Sequence, residues 1–154
     1  MLAVVDTGPL YAAVDADDQD HERCLRVLEA PGVRLFIPAM VVAEVTYLVG
    51  SRLGPKVEAA FLASLADFDV EAPTATDWSR IAKLVEQYAD FPLGGTDASV
   101  IALAERLGTD VIISLDRRHF SAVRSTHSRA WRLLPAAARL HVCDTPTDQS
   151  DRLP

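Results

Sequence analysis

A chain of 154 residues suits one compact domain that can bury its own core. Its 49% apolar and 24% charged residues lie in the globular range and exclude wholesale disorder. A net charge of −7 excludes a protein that holds nucleic acid by a basic surface alone, though not one whose acidic site takes up a metal and so reverses the local sign.

Leu2 to Val5 is a continuous apolar run rich in β-branched residues, which predicts a strand buried on both faces. Asp6-Thr7-Gly8-Pro9 breaks it, and a helix carrying Leu10, Tyr11 and Val14 is expected next, with Pro9 tolerated in its first turn. Asp18 or Asp20 can cap a helix over residues 21–29, with Cys24, Leu25 and Leu28 on one face. Pro31-Gly32 stops that helix. Residues 33–37 read as a second buried strand closed by Pro38, residues 39–53 as a helix ended by Gly54-Pro55, and residues 56–65 as another helix. Residues 68–71 form a short strand candidate. Asp77 is expected to cap a helix through Tyr88 that turns Trp78, Ile81, Leu84 and Val85 inward. Residues 91–95 are a loop, Thr96 can cap a helix through Leu107, and Gly108 fits the position just past its end. Val111 to Ile113 is the clearest buried strand after the first. A short helix or turn over residues 117–123 and a last strand over residues 131–134 follow.

Strands alternating with helices predict an α/β layer fold on a largely parallel sheet, one domain over residues 1–143, with a polar, proline-bearing tail over 144–154 that is expected to fray. Cys24 and Cys143 share no CxxC spacing and are read as free buried thiols. The four histidines, His21, His119, His127 and His141, show no metal-binding pairing. No basic segment leads into a long apolar one, and no apolar run reaches membrane-spanning length. The chain is therefore expected in the cytoplasm, without a membrane partner.

Four carboxylates carry the chemistry. Asp6 and Asp116 each follow a buried strand, where the crevice of an open parallel sheet binds ligands, yet each can equally be a helix cap. Glu44 neighbours Val41, Val45 and Leu48 at helical spacing. It is either a glutamate at the edge of an apolar stripe with its carboxylate in water or a ligand aimed into a cleft. Asp97 lies in the first turn of a helix, where the dipole favours an acid, and on the face that carries Val100, Ile101 and Ala104. Carboxylates that converge without a matching lysine or arginine repel one another. A hard divalent cation, magnesium or manganese, resolves that repulsion, activates water and stabilises charge on a phosphodiester.

The residues 4–10, Val-Val-Asp-Thr-Gly-Pro-Leu, resemble the opening of PIN domains. Residues 38–45 with Glu44, residues 95–104 with Asp97, and residues 113–120 with Asp116 resemble the family's second, third and fourth motifs in order and separation. The resemblance covers residues 1–135, and the small size of the chain is similar to the VapC toxin branch. It implies a three-layer α/β sandwich with a central, mostly parallel sheet and helices on both sides. It implies a magnesium-dependent endoribonuclease, the toxin of a type II toxin–antitoxin pair, usually a homodimer held inactive by a VapB-type antitoxin. Asp6 and Asp97 are then the main metal ligands. Glu44 and Asp116 complete the quartet directly or through water, and Thr7 and Ser114 are supporting hydroxyls. Ser114 stands where the family often has threonine, and keeps the hydroxyl. Arg117, Arg118, Arg124 and Arg129 follow the fourth motif and are either RNA phosphate contacts or solvated surface arginines.

Other readings fit less well. A catalytically silent PIN-like scaffold is the alternative, though all four acids are present. Gly8 stands where a haloacid-dehalogenase phosphatase needs a second aspartate. Asp6 lacks the acidic neighbour and late lysine of a response regulator, and no P-loop or hydrolase nucleophile motif occurs.

Overall fold

The computed structural model describes residues 1–91 and 93–136. The expected tail, Cys143 and His141 lie outside the described residues. The chain runs β1 (Leu2–Val5), α1 (Thr7–Val14), α2 (His21–Leu28), β2 (Arg34–Pro38), α3 (Ala39–Leu53) and α4 (Pro55–Ser64). A single 3₁₀ turn (Leu65–Asp67) leads to β3 (Asp69–Glu71), α5 (Ala75–Gln87), α6 (Gly95–Leu107), β4 (Val111–Ile113), α7 (Arg117–Ala122) and β5 (Arg132–Leu134).

The five strands form one sheet in the order β3-β2-β1-β4-β5, parallel at every pairing. The sheet is thus wholly parallel, flanked by helices in the three-layer α/β arrangement. β1 is central, which explains its unbroken apolar run: Ala3, Val4 and Val5 are fully buried. α6 packs on β1, β2 and β4. Every residue of it from Ala98 to Ala104 is buried, as a helix apolar on all sides requires. Phe120 is the largest fully buried side chain and anchors short α7 to the core.

The chain builds β2 and β3 on one side of β1, then crosses to place β4 on the other. That reversal opens a crevice between the carboxyl ends of β1 and β4. Val5 registers with Ile113, and the Asp6 N–H donates to the Ile113 carbonyl at 2.9 Å. Asp6 and Ser114 therefore leave the sheet side by side.

Two local readings need correction. Asp77 is not the cap of α5. Thr74 is, its hydroxyl accepting from the Asp77 N–H at 3.2 Å while Asp77 Oδ2 accepts from the Thr74 N–H at 2.8 Å. With the helix starting earlier, Asp77, Ile81 and Leu84 face the core. Trp78 and Val85 then fall one position off that face and stand 51% and 38% exposed. Similarly, Thr96 lies inside α6, whose cap position is Gly94. The expectation for Gly108 fits: it ends α6 with φ 65°, left-handed backbone that a β-carbon strains. Cys24 is free and buried.

Candidate active site

The carboxyl ends of β1 and β4, the first turn of α6 and the first turns of α1 and α7 surround an open cleft of about 680 Å³. Asp6, Glu44, Asp97 and Asp116 all line it, as do Thr7, Arg117, Arg118 and His119. Residues from Asp6 to His119 thus meet because β1 and β4 are neighbours and α3 and α6 pack beside them, bringing Glu44 and Asp97.

Asp6 is the deepest of the four acids, 6% exposed. It caps α1, Oδ1 accepting from the Thr7 N–H at 2.7 Å, so the cap and cleft readings describe one residue. Its Oδ2 accepts from the Ser114 hydroxyl at 2.7 Å, and Ser114 Oγ in turn accepts from the Asp116 N–H at 2.9 Å. Ser114 is buried and ties the acid of β1 to the turn after β4. Burial pushes the Asp6 carboxyl up to about 6; the Ser114 and Thr7 hydrogen bonds oppose this, and the charges of Asp97 and Glu44 add to it.

Asp97 sits at the third position of α6, where Oδ2 accepts from the Gly94 N–H at 3.3 Å. Burial raises its pKa, with the Gly94 N–H and His119 opposing and the charges of Asp116 and Glu44 adding. Asp116 caps α7, Oδ1 accepting from the Arg118 and His119 N–H groups at 3.0 and 3.1 Å. Glu44 is exposed at the rim, one turn from buried Val41 and next to buried Val45. It is at once the edge of an apolar stripe and a lining residue of the cleft.

The arginines divide. Arg117 lines the cleft, but its Nη2 donates to the Pro135 and Leu133 carbonyls at 2.6 and 3.4 Å, committing it to the end of β5. Arg118 lines the cleft and is exposed. Arg124 and Arg129 are exposed and do not line it. His119 was not singled out from the sequence. Its Nδ1 lies 3.3 Å from Asp97 Oδ2 and 3.1 Å from Asp116 Oδ2. The signal that could have found it is the Asp-x-x-His spacing across the first turn of a helix, which puts both side chains on one face.

The donor set fits a hard divalent cation. Four carboxylates share the cleft, and two of them hold their protons more tightly than usual, partly through mutual repulsion. The Thr7 hydroxyl is buried beside them without a hydrogen-bond partner among the described residues. Among those residues no group of three or more histidine, cysteine, aspartate or glutamate side chains stands ready to hold an ion unaided. An ion here completes its shell with water, as magnesium prefers.

The family profile for the PIN domain matches residues 3–125. The chain is 34% identical over 134 residues to Ribonuclease VapC26 of Mycobacterium tuberculosis (strain ATCC 25618 / H37Rv), covering 86% of this chain and 99% of that one. Among solved structures it resembles M. tuberculosis VapC20, described as a sarcin-ricin-loop-cleaving toxin, with a TM-score of 0.73 at 21% identity over 82% of this chain and 98% of that one. It also resembles VapBC2 of Rickettsia felis bound to a promoter DNA fragment, with a TM-score of 0.63 at 16% identity over 80% and 93%. By the matched profile, the VapC relative and the carboxylates gathered at the sheet's crevice, the chain belongs to the PIN-domain family, in its VapC branch.

Proposed function

We propose that the chain is a magnesium-dependent endoribonuclease, the toxin of a type II toxin–antitoxin pair. The observation that carries this reading is the convergence of Asp6, Glu44, Asp97 and Asp116 in one cleft that no lysine or arginine neutralises through an ion pair among the described residues. The ribonuclease name of the VapC26 relative supports it. Asp6 and Asp97 bind the magnesium, or manganese, with Glu44 and Asp116 reaching it directly or through water. The Thr7 N–H and the Ser114 hydroxyl fix the Asp6 carboxylate in place, the Thr7 hydroxyl is a supporting group, and Arg118, a rim cation with no ion pair among the described residues, contacts an RNA phosphate. When bound, the cation activates water and stabilises charge on the phosphodiester. Water adds to phosphorus as the bond to the 3′ oxygen breaks, and a proton passes to that oxygen. The products are a 5′-phosphate and a 3′-hydroxyl.

A VapB-type antitoxin is the proposed protein partner, and the active form a homodimer. Exposed Tyr47 and Leu62 on α3 and α4, and Trp78 on α5, provide apolar surface for such contacts. No helix among the described residues is long and apolar enough to cross a membrane.

The test is cleavage of total RNA by the purified protein with magnesium and with chelator, wild type beside Asp97→Asn. Magnesium-dependent cleavage lost in the variant is expected, with 5′-phosphate ends. Cleavage that ignores chelator and mutation, or a 2′,3′-cyclic phosphate product, overturns the proposal. No cleavage from either protein favours the scaffold reading.

A further inference from the structure

His119 projects from the first turn of α7 into the cleft with its Nδ1 between two carboxylates, 3.3 Å from Asp97 Oδ2 and 3.1 Å from Asp116 Oδ2. Its ring makes a T-shaped contact with Phe91, centroids 5.3 Å apart at 85°, which orients the imidazole plane.

These contacts sort the oxygens of the cleft. Asp97 receives both of its protein contacts, from the Gly94 N–H and from His119, on Oδ2, and Oδ1 has no partner among the described residues. Asp116 takes two contacts on Oδ1, from the Arg118 and His119 N–H groups, and one on Oδ2, from the His119 ring. Asp6 gives one contact per oxygen, to Thr7 and Ser114, and keeps a lone pair on each. The oxygens left open to an ion therefore include Asp97 Oδ1, the second lone pairs of Asp6 and both oxygens of Glu44, which have no hydrogen-bond or ion-pair partner among the described residues. Asp116 thus keeps fewer open lone pairs than Asp6 or Asp97.

We propose that His119 is a positioning residue for the metal site, clamping Asp97 and Asp116 through Nδ1 so that Asp97 Oδ1 faces the ion. The inference rests on the metal-site reading above. Without the clamp Asp97 is held by the Gly94 N–H alone, and Asp116, also lining the cleft, loses the contact on its Oδ2. Partners that orient ligands from behind commonly change metal affinity by tenfold or more.

The side-chain geometry supplies its own control. Asparagine places its amide nitrogen where histidine has Nδ1, and glutamine reaches instead toward the position of Nε2. Manganese affinity is measured by the paramagnetic resonance signal of free Mn²⁺, in the full-length protein without RNA, for wild type, His119→Ala, His119→Asn and His119→Gln. The alanine and glutamine variants are expected to bind about tenfold more weakly. The asparagine variant is expected to bind like the wild type. Circular dichroism establishes that each variant is folded, and the asparagine–glutamine contrast compares two polar side chains that differ chiefly in where the amide sits. Alanine binding as tightly as wild type, or more tightly, overturns the clamp and makes His119 a competitor of the ion. Equal affinities for the asparagine and glutamine variants overturn it as well. Failure of the wild type to bind manganese overturns the metal-site reading itself, and so is distinguishable from failure of the clamp alone.

Discussion

Replacing Asp6 by asparagine should stabilise the metal-free protein, and by more as the pH rises. Burial lifts the carboxyl from its ordinary 3.8 to about 6. The folded state therefore holds this proton more tightly than the unfolded chain, and stability is greatest below pH 4. It falls as the pH rises through 6, because the ionised group is tolerated in water and not in the cleft. The full rise corresponds to about 3 kcal/mol, most of which develops between pH 4 and pH 8. Asparagine keeps the shape and the acceptor for the Thr7 N–H but carries no charge. Its altered hydrogen bond to Ser114 is independent of pH and cancels in the comparison between pH values. The assay is urea unfolding in EDTA at pH 4 to 8, followed by the fluorescence of buried Trp131. The stability gap between Asp6→Asn and wild type is expected to widen by about 2 kcal/mol across that range, most of it by pH 6. Magnesium at pH 8 should then narrow the gap, because the ion stabilises only the protein that binds it. A gap that stays flat with pH would refute the electrostatic reasoning, and one that magnesium leaves unchanged would remove Asp6 from the metal site.

Two further outcomes test the fold around the site. Gly108→Ala should cost about 1 kcal/mol and lower the melting temperature by about 2 to 4 °C, because residue 108 has φ 65° and no neighbour within 4 Å to reward a methyl group. Calorimetry checks it, and an unchanged melting temperature would show that the left-handed cap is not strained by a side chain. Cys24 is fully buried, and burial pushes its thiol up to about 11. In a Cys143→Ser background it should resist Ellman's reagent at pH 8 in the native protein and react on unfolding.

Much of this architecture is written in local pattern. β1 and β4 announce themselves as short runs of β-branched residues, and the bounds of α3 coincide with the run between Pro38 and Gly54. α5 was less legible. Its inward face depends on where the helix begins, and either Thr74 or Asp77 could cap it. The capping box chose Thr74, which turned Trp78 and Val85 outward. The acids were recognisable by type and by their places after strands or at helix starts. His119 was not, because a histidine gains meaning only from what it touches.

By itself the sequence determined the secondary elements, the burial of the central strand and the identity of the four acids, since each follows from periodicity and residue chemistry within a few turns of chain. Only the tertiary structure decided that β4 lies beside β1. No local periodicity encodes strand order, which emerges from packing both faces of the sheet at once. That one neighbour relation brings Ser114 within 2.7 Å of Asp6 across 108 residues of chain. Together with the packing of α3 and α6, it also sets His119 between Asp97 and Asp116 and gathers four scattered carboxylates into a single cleft.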